Sequence, residues 1–439
     1  MIYLGGAITA GCYAVLSIIS AGENPPQVAL FFCVLGTAWA VLLLLCFGRG
    51  KNARMPAVHS IIVWAIVFRF IGLTAIPVYE DDYNRFLWDG WVFVSSGNPY
   101  QKPPIDFYGD ANVPIDLRRT LYDVAYPGVP TIYGPVLQFV FGASALISPA
   151  NLITLKCLFL IADLALMGLI AWRSSRRTLL LYAWCPLLIF EVSFNAHPDL
   201  LGAALVFAGY QSHLRGRIIL PAVLVGLACA VKILAVVAVP VLIWRGRWRS
   251  ALAFAITLLA VYTPFILQGS TADWEGLLVF AEHWEFNSAL YAIVHKVAAA
   301  PIAKLLCYGL FACVYAALFI IWTRGRIAEF PLDGIYGLFL FVSPVINPWY
   351  LLWIMPFAVR RPRIWSITAL IAVSLSYATI SNLSADGAGN FGHPSWLRPV
   401  EFGIILLAIA IDAIVSAKSR REQPEKKEAI SFNPRQGGA

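Results

Sequence analysis

Residues 78–104 read VYEDDYNRFLWDGWVFVSSGNPYQKPP, and this stretch decides the reading of the chain. Three consecutive acids, Glu80, Asp81 and Asp82, stand where an apolar run over 59–77 leaves the membrane. Arg85 and Asp89 come next at helical spacing, so residues 82, 85, 86 and 89 share one face of a short helix. That face presents carboxylate, guanidinium and aromatic groups together. Tyr83, Phe86, Trp88 and Trp91 are expected to hold the helix flat at a membrane interface, where Trp and Tyr prefer to lie. A carboxylate at a membrane edge suits general-base work, because partial desolvation raises its pKa toward the operating range. The plainer alternative is an ordinary acidic external loop with aromatic anchors. The density of Asp, Arg and Trp, with the GNPY turn at 97–100, argues against it.

Composition sets the solvent around this stretch. Of 439 residues, 60% are hydrophobic and 13% charged, and mean hydropathy is +0.74. Soluble domains run at about 45–50% apolar and about 25% charged. So few charges cannot cover a core of this size, which excludes a soluble enzyme, a disordered scaffold and a secreted disulfide module. The fold expected is an all-α polytopic membrane protein. The net charge of +8 reads as basic cytoplasmic loops rather than nucleic-acid binding. The eight cysteines lie in apolar runs without metal-ligand spacing and read as packing thiols. With no charged n-region and cleavage site, 2–20 reads as a retained membrane helix. GxxxxGKS, GxGxxG and His/Cys cluster patterns are missing from the sequence, so ATP, NAD and zinc chemistry find no support.

Good spanning candidates are 2–20, 27–48, 59–77, 152–172, 178–194, 250–268, 300–322, 364–382 and 402–417. Weaker or interrupted ones are 133–148, 198–214, 218–244 and 333–358; the last two carry Pro221, Lys232 and Pro240, and Pro344, Pro348 and Pro356. Together they suggest roughly 11–14 crossings in one membrane domain, 1–417, followed by a polar, disordered cytoplasmic tail, 418–439. Basic clusters alternate with loops of another kind. Arg49, Lys51 and Arg54, then Arg173, Arg176 and Arg177, and later Arg pairs and triplets up to Arg363 are assigned to the cytoplasm. The segments 78–132, NAHPD (195–199), HWEFN (283–287), INPWY (346–350) and 383–400 then meet on the outer face. One parity problem arises: 133–148 and 152–172 cannot both cross if Arg173–Arg177 is cytoplasmic. The preferred solution makes 133–148 re-entrant or interfacial.

DDYNRFLWDG…GNPY resembles the first external loop of the GT-C superfamily of integral membrane glycosyltransferases. It is most similar to the bacterial branch related to polyprenyl-phosphate-mannose-dependent mannosyltransferases. YGPVLQF (133–139), HPDLLG (197–202), the AVKI…P stretch (230–240) and SPVINPWYLLWIMPF (343–357) extend the resemblance over most of the chain. Phe86 departs from the family's more usual Tyr, so a hydroxyl contact there is absent, and the two helices before the motif helix are additional to the minimal core. The resemblance implies an inverting transfer of a hexose, mannose the first choice, from a polyprenyl-phosphate-sugar donor to a lipid or glycan acceptor. The active site would face the periplasm from a multi-pass position in the inner membrane. It also implies that the first-loop acid is the general base, at the position of Asp82, with Asp81 the competitor and Glu80 a poorer fit.

Lys232 interrupts an apolar run, and a cation inside a membrane marks function by default. It reads as a partner of the donor phosphate or as a lysine snorkelling from a helix that breaks after Ala230. Arg69 either pairs with an intramembrane acid such as Asp163 or Glu191, or joins Arg85 and Lys232 toward the phosphate. His197 and Asp199 line the cavity, or else Asp199 caps a helix after Pro198. His283, Trp284, Glu285 and Asn287 offer the apolar faces, acids and amides that sugars need, with interface anchoring as the alternative for the Trp residues. Asp89, Tyr100, Asn347, Trp349 and Tyr350 complete the substrate-binding candidates; the last three flank a proline-broken helix whose freed backbone should line a cavity. Adjacent side chains diverge by ~100° on a helix, so Asp81 and Asp82 should not chelate together. No cofactor or essential metal is expected, although a divalent ion is not excluded. A lipid-linked-sugar transporter or flippase would explain the buried charges but not the aromatic, acid-rich loop. An O-antigen ligase or polymerase-like enzyme tends to carry its large loop late in the chain.

Overall fold

The computed structural model describes residues 1–21, 27–48, 55–382 and 393–431. The basic cluster Arg49, Lys51 and Arg54, part of the 383–400 loop and the end of the tail from 432 lie outside the described residues. Among the described residues every regular element is helical, and seven helices are long and apolar enough to cross a membrane. Five shorter apolar helices accompany them: Val58–Thr74, Pro135–Ile147, Ile219–Cys229, Leu332–Val342 and Ile364–Thr379. Among the described residues no disulfide is formed.

Helices α1 (Ile2–Ser20), α2 (Val28–Phe47) and α3 (Val58–Thr74) pack together at the amino-terminal end. The segment Arg176–Phe194 is the hub, with 94% of its apolar window buried inside the protein. In a bilayer, where lipid already satisfies apolar surface, such enclosure marks a helix surrounded by other helices.

Between α3 and the hub lies the first loop. Helix α4 (Asp82–Ser96) carries the Arg85–Asp89 ion pair one turn apart. It ends at Gly97, whose φ of +81° is the left-handed cap that a side chain resists. Helix α5 (Ile115–Tyr122) closes over it, burying Trp88, Val92, Val113, Leu117, Leu121 and Val124 as a small separate core. The loop is therefore a folded cap. This corrects the expected interfacial role of two of its aromatics. Phe86 stacks on Phe141 at 5.0 Å, and Trp88 packs against Trp91 and Phe107, so both face protein. The apolar surface available inside the cap outcompetes the membrane interface.

Helix α6 (Pro135–Ile147) has 13 residues, about 20 Å at 1.5 Å per residue, short of the ~30 Å hydrocarbon core. It packs chiefly on α4, where Gly90 lets the Phe141 carbonyl come close enough to exclude any Cβ. That length favours the re-entrant or interfacial solution of the parity problem, with α7 (Leu152–Arg173) supplying the next crossing.

Three later segments are broken. The helix Ile219–Cys229 stops at Ala230, and a 3-10 turn resumes at Ile233–Ala238. Leu332–Val342 is followed by irregular chain and a 3-10 turn at Pro348–Trp353. The hub ends in a π-type turn, Ile189–Phe194, before the helix Asp199–Leu214. The carboxy-terminal helix Leu397–Ser431 continues past its apolar stretch, through residues 418–431 that were expected to be disordered.

Candidate functional site

Freed backbone groups at a break must find partners, and here they bring distant motifs together. The carbonyl of Ala230 accepts from the Val136 N–H at 3.0 Å, and that of Val231 from the Gly134 N–H at 3.3 Å. The YGP turn is thereby fastened to the AVK break. The Phe286 N–H donates to Pro344 at 3.0 Å, and the Ile346 N–H to Phe286 at 2.8 Å, which ties HWEFN to INPWY. Asn195 Oδ1 accepts from the Val78 N–H at 2.9 Å, joining NAHPD to the chain that carries the acids.

Asp82 opens α4, half-buried, and its Oδ2 accepts from the Tyr133 hydroxyl at 3.2 Å. Asp81 is more exposed, yet the protein around it, with Asp82 adding repulsion, pushes its carboxyl up to about 6. Glu80 is held well above the usual carboxylate range by desolvation and then by Asp82, Glu191 and Asp81. Ligand atoms of Glu80, Asp82 and His197 all lie within 4.8 Å of one another. His197 is 1% exposed and is fixed from two sides. Its Nδ1 is 2.8 Å from Glu191 Oε2, and its ring stacks on Trp349 at 3.9 Å. Burial lowers its pKa to about 4, so the ring is neutral.

Lys232 Nζ donates to both oxygens of Asp199 at 3.0 Å and lies 4.5 Å from the Tyr350 ring centre. Trp353 Nε1 also donates to Asp199, at 2.9 Å. Two simpler readings fail here: Lys232 does not snorkel, being 8% exposed, and Asp199 makes no side-chain cap on its helix. An ion pair satisfies both charges better than either alternative in an enclosed place.

The model of the family described as alpha-(1->6)-mannopyranosyltransferase, N-terminal domain, matches residues 5–246, more than half of the chain. The chain belongs to this family. It is 24% identical over 410 residues to alpha-(1->6)-mannopyranosyltransferase A of Mycobacterium tuberculosis, covering 83% of this chain and 77% of that protein. It is 22% identical over 417 residues to a probable alpha-(1->6)-mannopyranosyltransferase of Mycolicibacterium smegmatis, covering 78% of this chain and 72% of the relative. No solved structure matches it. The expected GT-C-like kinship and the membrane glycosyltransferase class hold.

Within this mannosyltransferase scaffold, several expected site residues have other work. Arg69 is not brought to the acids: its guanidinium binds both oxygens of Asp163 and the carbonyls of Ala65 and Ala183. Arg85 is spent on Asp89 at 2.9 Å and the Val129 carbonyl at 3.0 Å, leaving Nη2 as its buried free donor. Asp89, 2% exposed, also accepts from Thr131 at 2.5 Å, so it braces the loop. The Tyr100 hydroxyl donates to the Tyr133 carbonyl at 2.8 Å. Asn287 binds both oxygens of buried Glu401 through Nδ2. His283 is exposed, with Nδ1 against the Val279 carbonyl at 3.1 Å. Trp284 rests on Tyr126 of the first loop at 4.6 Å, and Glu285 accepts from Ser288 at 2.8 Å. Asn347 is half-buried at the edge of its break.

Two contributors carried a signal that went unused. Glu191 interrupts an apolar run and is a candidate partner for Arg69; it turns instead to His197 and to the Tyr377 hydroxyl at 2.8 Å. Lys156, fully buried in α7, donates to the Gly72 and Ala75 carbonyls at 3.2 and 2.7 Å. It thus anchors the end of α3 from which the acids emerge. An ionisable residue within an apolar run deserves a functional test wherever it occurs.

Proposed function

We propose that this chain is an inverting mannosyltransferase that uses a polyprenyl-phosphate-mannose donor and forms an alpha-(1->6) linkage on a lipid or glycan acceptor at the periplasmic face of the inner membrane. The observation that carries the reading is the meeting of Asp82, Tyr133, His197, Asp199 and Lys232, contributed by four separated motifs. The linkage and sugar follow the activity for which the relatives are named.

In this reading the acceptor hydroxyl oxygen attacks the anomeric carbon from the face opposite the phosphate. The C1–O bond breaks, and polyprenyl phosphate leaves with the electron pair. Asp82 takes the hydroxyl proton as the new bond forms, since a sugar hydroxyl is a weak nucleophile while it keeps that proton. Lys232, at the edge of the break, is the cation closest in character to a phosphate partner. Beside it an apolar groove lined by Ile233, Val236, Leu258 and Leu277 suits a polyprenyl tail. A transporter has less support, because the charged groups converge with the acid-bearing cap and not along a pathway.

The test is transfer of mannose from a synthetic polyprenyl-phosphate-mannose by purified, monodisperse protein, with the linkage read by NMR. Movement of the donor across vesicles without transfer would replace this reading with transport. Orientation is tested separately. A cysteine at Ala111 should label with an impermeant thiol reagent from outside, and one at Ala429 should not.

A further inference from the structure

His197 Nδ1 is occupied by Glu191, and its other ring nitrogen, Nε2, is fully buried without a hydrogen-bond partner. A buried polar atom left unpaired keeps its full desolvation penalty, so its persistence in a ring fixed from both sides calls for a ligand. In the tautomer that donates Nδ1–H to Glu191, Nε2 carries the lone pair. A carboxylate behind the imidazole is the arrangement that fixes tautomer and orientation in histidines that bind metals. Glu80 and Asp82 each bring a carboxylate oxygen within 4.8 Å of the same histidine. The cations supplied by the neighbouring motifs are already committed, Lys232 to Asp199 and Arg85 to Asp89. Among the described residues the acids thus face one another and His197 with no ion pair to a side-chain cation of their own.

We propose that Glu80, Asp82 and His197 bind one divalent transition-metal cation, with Glu191 orienting the histidine. The imidazole favours zinc over magnesium or calcium, and the two carboxylates also suit manganese. Three protein ligands leave a coordination position for an incoming oxygen. The inference rests on the glycosyl-transfer reading only for its purpose: the cation offsets repulsion between Glu80 and Asp82 and offers that position to a phosphate or hydroxyl oxygen. The expectation of a metal-free site considered only Asp81 with Asp82. Asp81 is outside this cluster, and the third ligand comes from a loop more than a hundred residues away in sequence.

The experiment titrates full-length, EDTA-stripped protein with Mn²⁺ alone, following free ion by EPR, and with Zn²⁺ alone, followed by metal analysis after desalting. One ion per chain is expected. Glu80→Gln and His197→Gln should each weaken binding at least tenfold, Glu191→Gln should weaken it roughly 10–100-fold, and Asp81→Asn should leave it unchanged. Should His197→Gln fail to fold, half-buried Glu80 still supplies the test. Failure to bind a stoichiometric ion, or wild-type affinity in Glu80→Gln, overturns the site. If stripped protein holds no ion and transfers sugar at the full rate, the cation fails and the transferase reading stands. If a stoichiometric ion depends on these residues but transfer never occurs, the cation stands and the transferase reading fails.

Discussion

Two buried ion pairs, both inside apolar segments, have opposite surroundings. Arg69–Asp163 joins α3 to α7, and both partners are held by protein: the guanidinium by two carboxylate contacts and two carbonyls, the carboxylate also by a Tyr182 hydroxyl that donates to it at 2.8 Å. Lys232–Asp199 lies where two helices are broken, with an aromatic face at 4.5 Å and a histidine with a bare nitrogen on the same loop as Asp199. A charge inside the membrane therefore does not mark a site by itself. A charge at a backbone break, among groups whose bonding is incomplete, is the stronger mark.

The contrast can be broken most sharply at the acid beside the second pair. Asp82→Asn keeps size and shape but removes the base. Transfer should fall roughly 10²–10⁴-fold while the protein stays monodisperse. If Asp82→Asn keeps more than about a tenth of activity while Asp81→Asn abolishes it, the base is Asp81.

At the first pair the loss should be structural. Arg69→Met strands a buried carboxylate, and breaking such a pair costs about 3–5 kcal/mol, seen as a lowered unfolding temperature or lost monodispersity. The double variant Arg69→Met/Asp163→Leu should recover most stability and keep donor KM at the wild-type value. A raised KM in that stable double variant would make Arg69 a donor contact and erase the distinction.

Lys232→Met should raise donor KM about ten- to a hundredfold, the size of a lost charge-assisted contact, with acceptor KM nearly unchanged. If donor KM does not move, Lys232–Asp199 is as structural as its counterpart. The smallest effect belongs to Asp81→Asn, expected within a few-fold of wild type. Because Asp81 is pushed up to about 6, a minor slope of activity against pH near that value should flatten in the variant. A persistent slope assigns it to another group.

Local pattern carried much of this into view before any coordinates. The spacing of Asp82, Arg85 and Asp89 marked α4, and Lys232 with its flanking prolines marked a broken helix with its stop after Ala230. The choice among partners was not legible. Arg69 had Asp163 and Glu191 available, and only packing selects Asp163. Glu191 and His197 are six residues apart, a spacing that matches neither i+3 nor i+4; the π-type turn and the positive φ of 63° at Ala196 fold one back onto the other. Asp89 and Tyr100 looked like substrate contacts because polar residues in an external loop usually are exposed. The cap buries them as its own bracing.

The fastening of the 133–136 turn to the Ala230 break is made by two main-chain amides and two main-chain carbonyls. Such a joint has no side-chain signature apart from the cramped Gly134, where a Cβ would strike Ala230. Tyr133, which holds the acid, and Lys232, which stands by the lysine–aspartate pair, are carried on opposite sides of it, so neither can be shifted far without dragging the other. Because the joint is made of main chain, surrounding side chains can be exchanged without altering the spacing between these two groups.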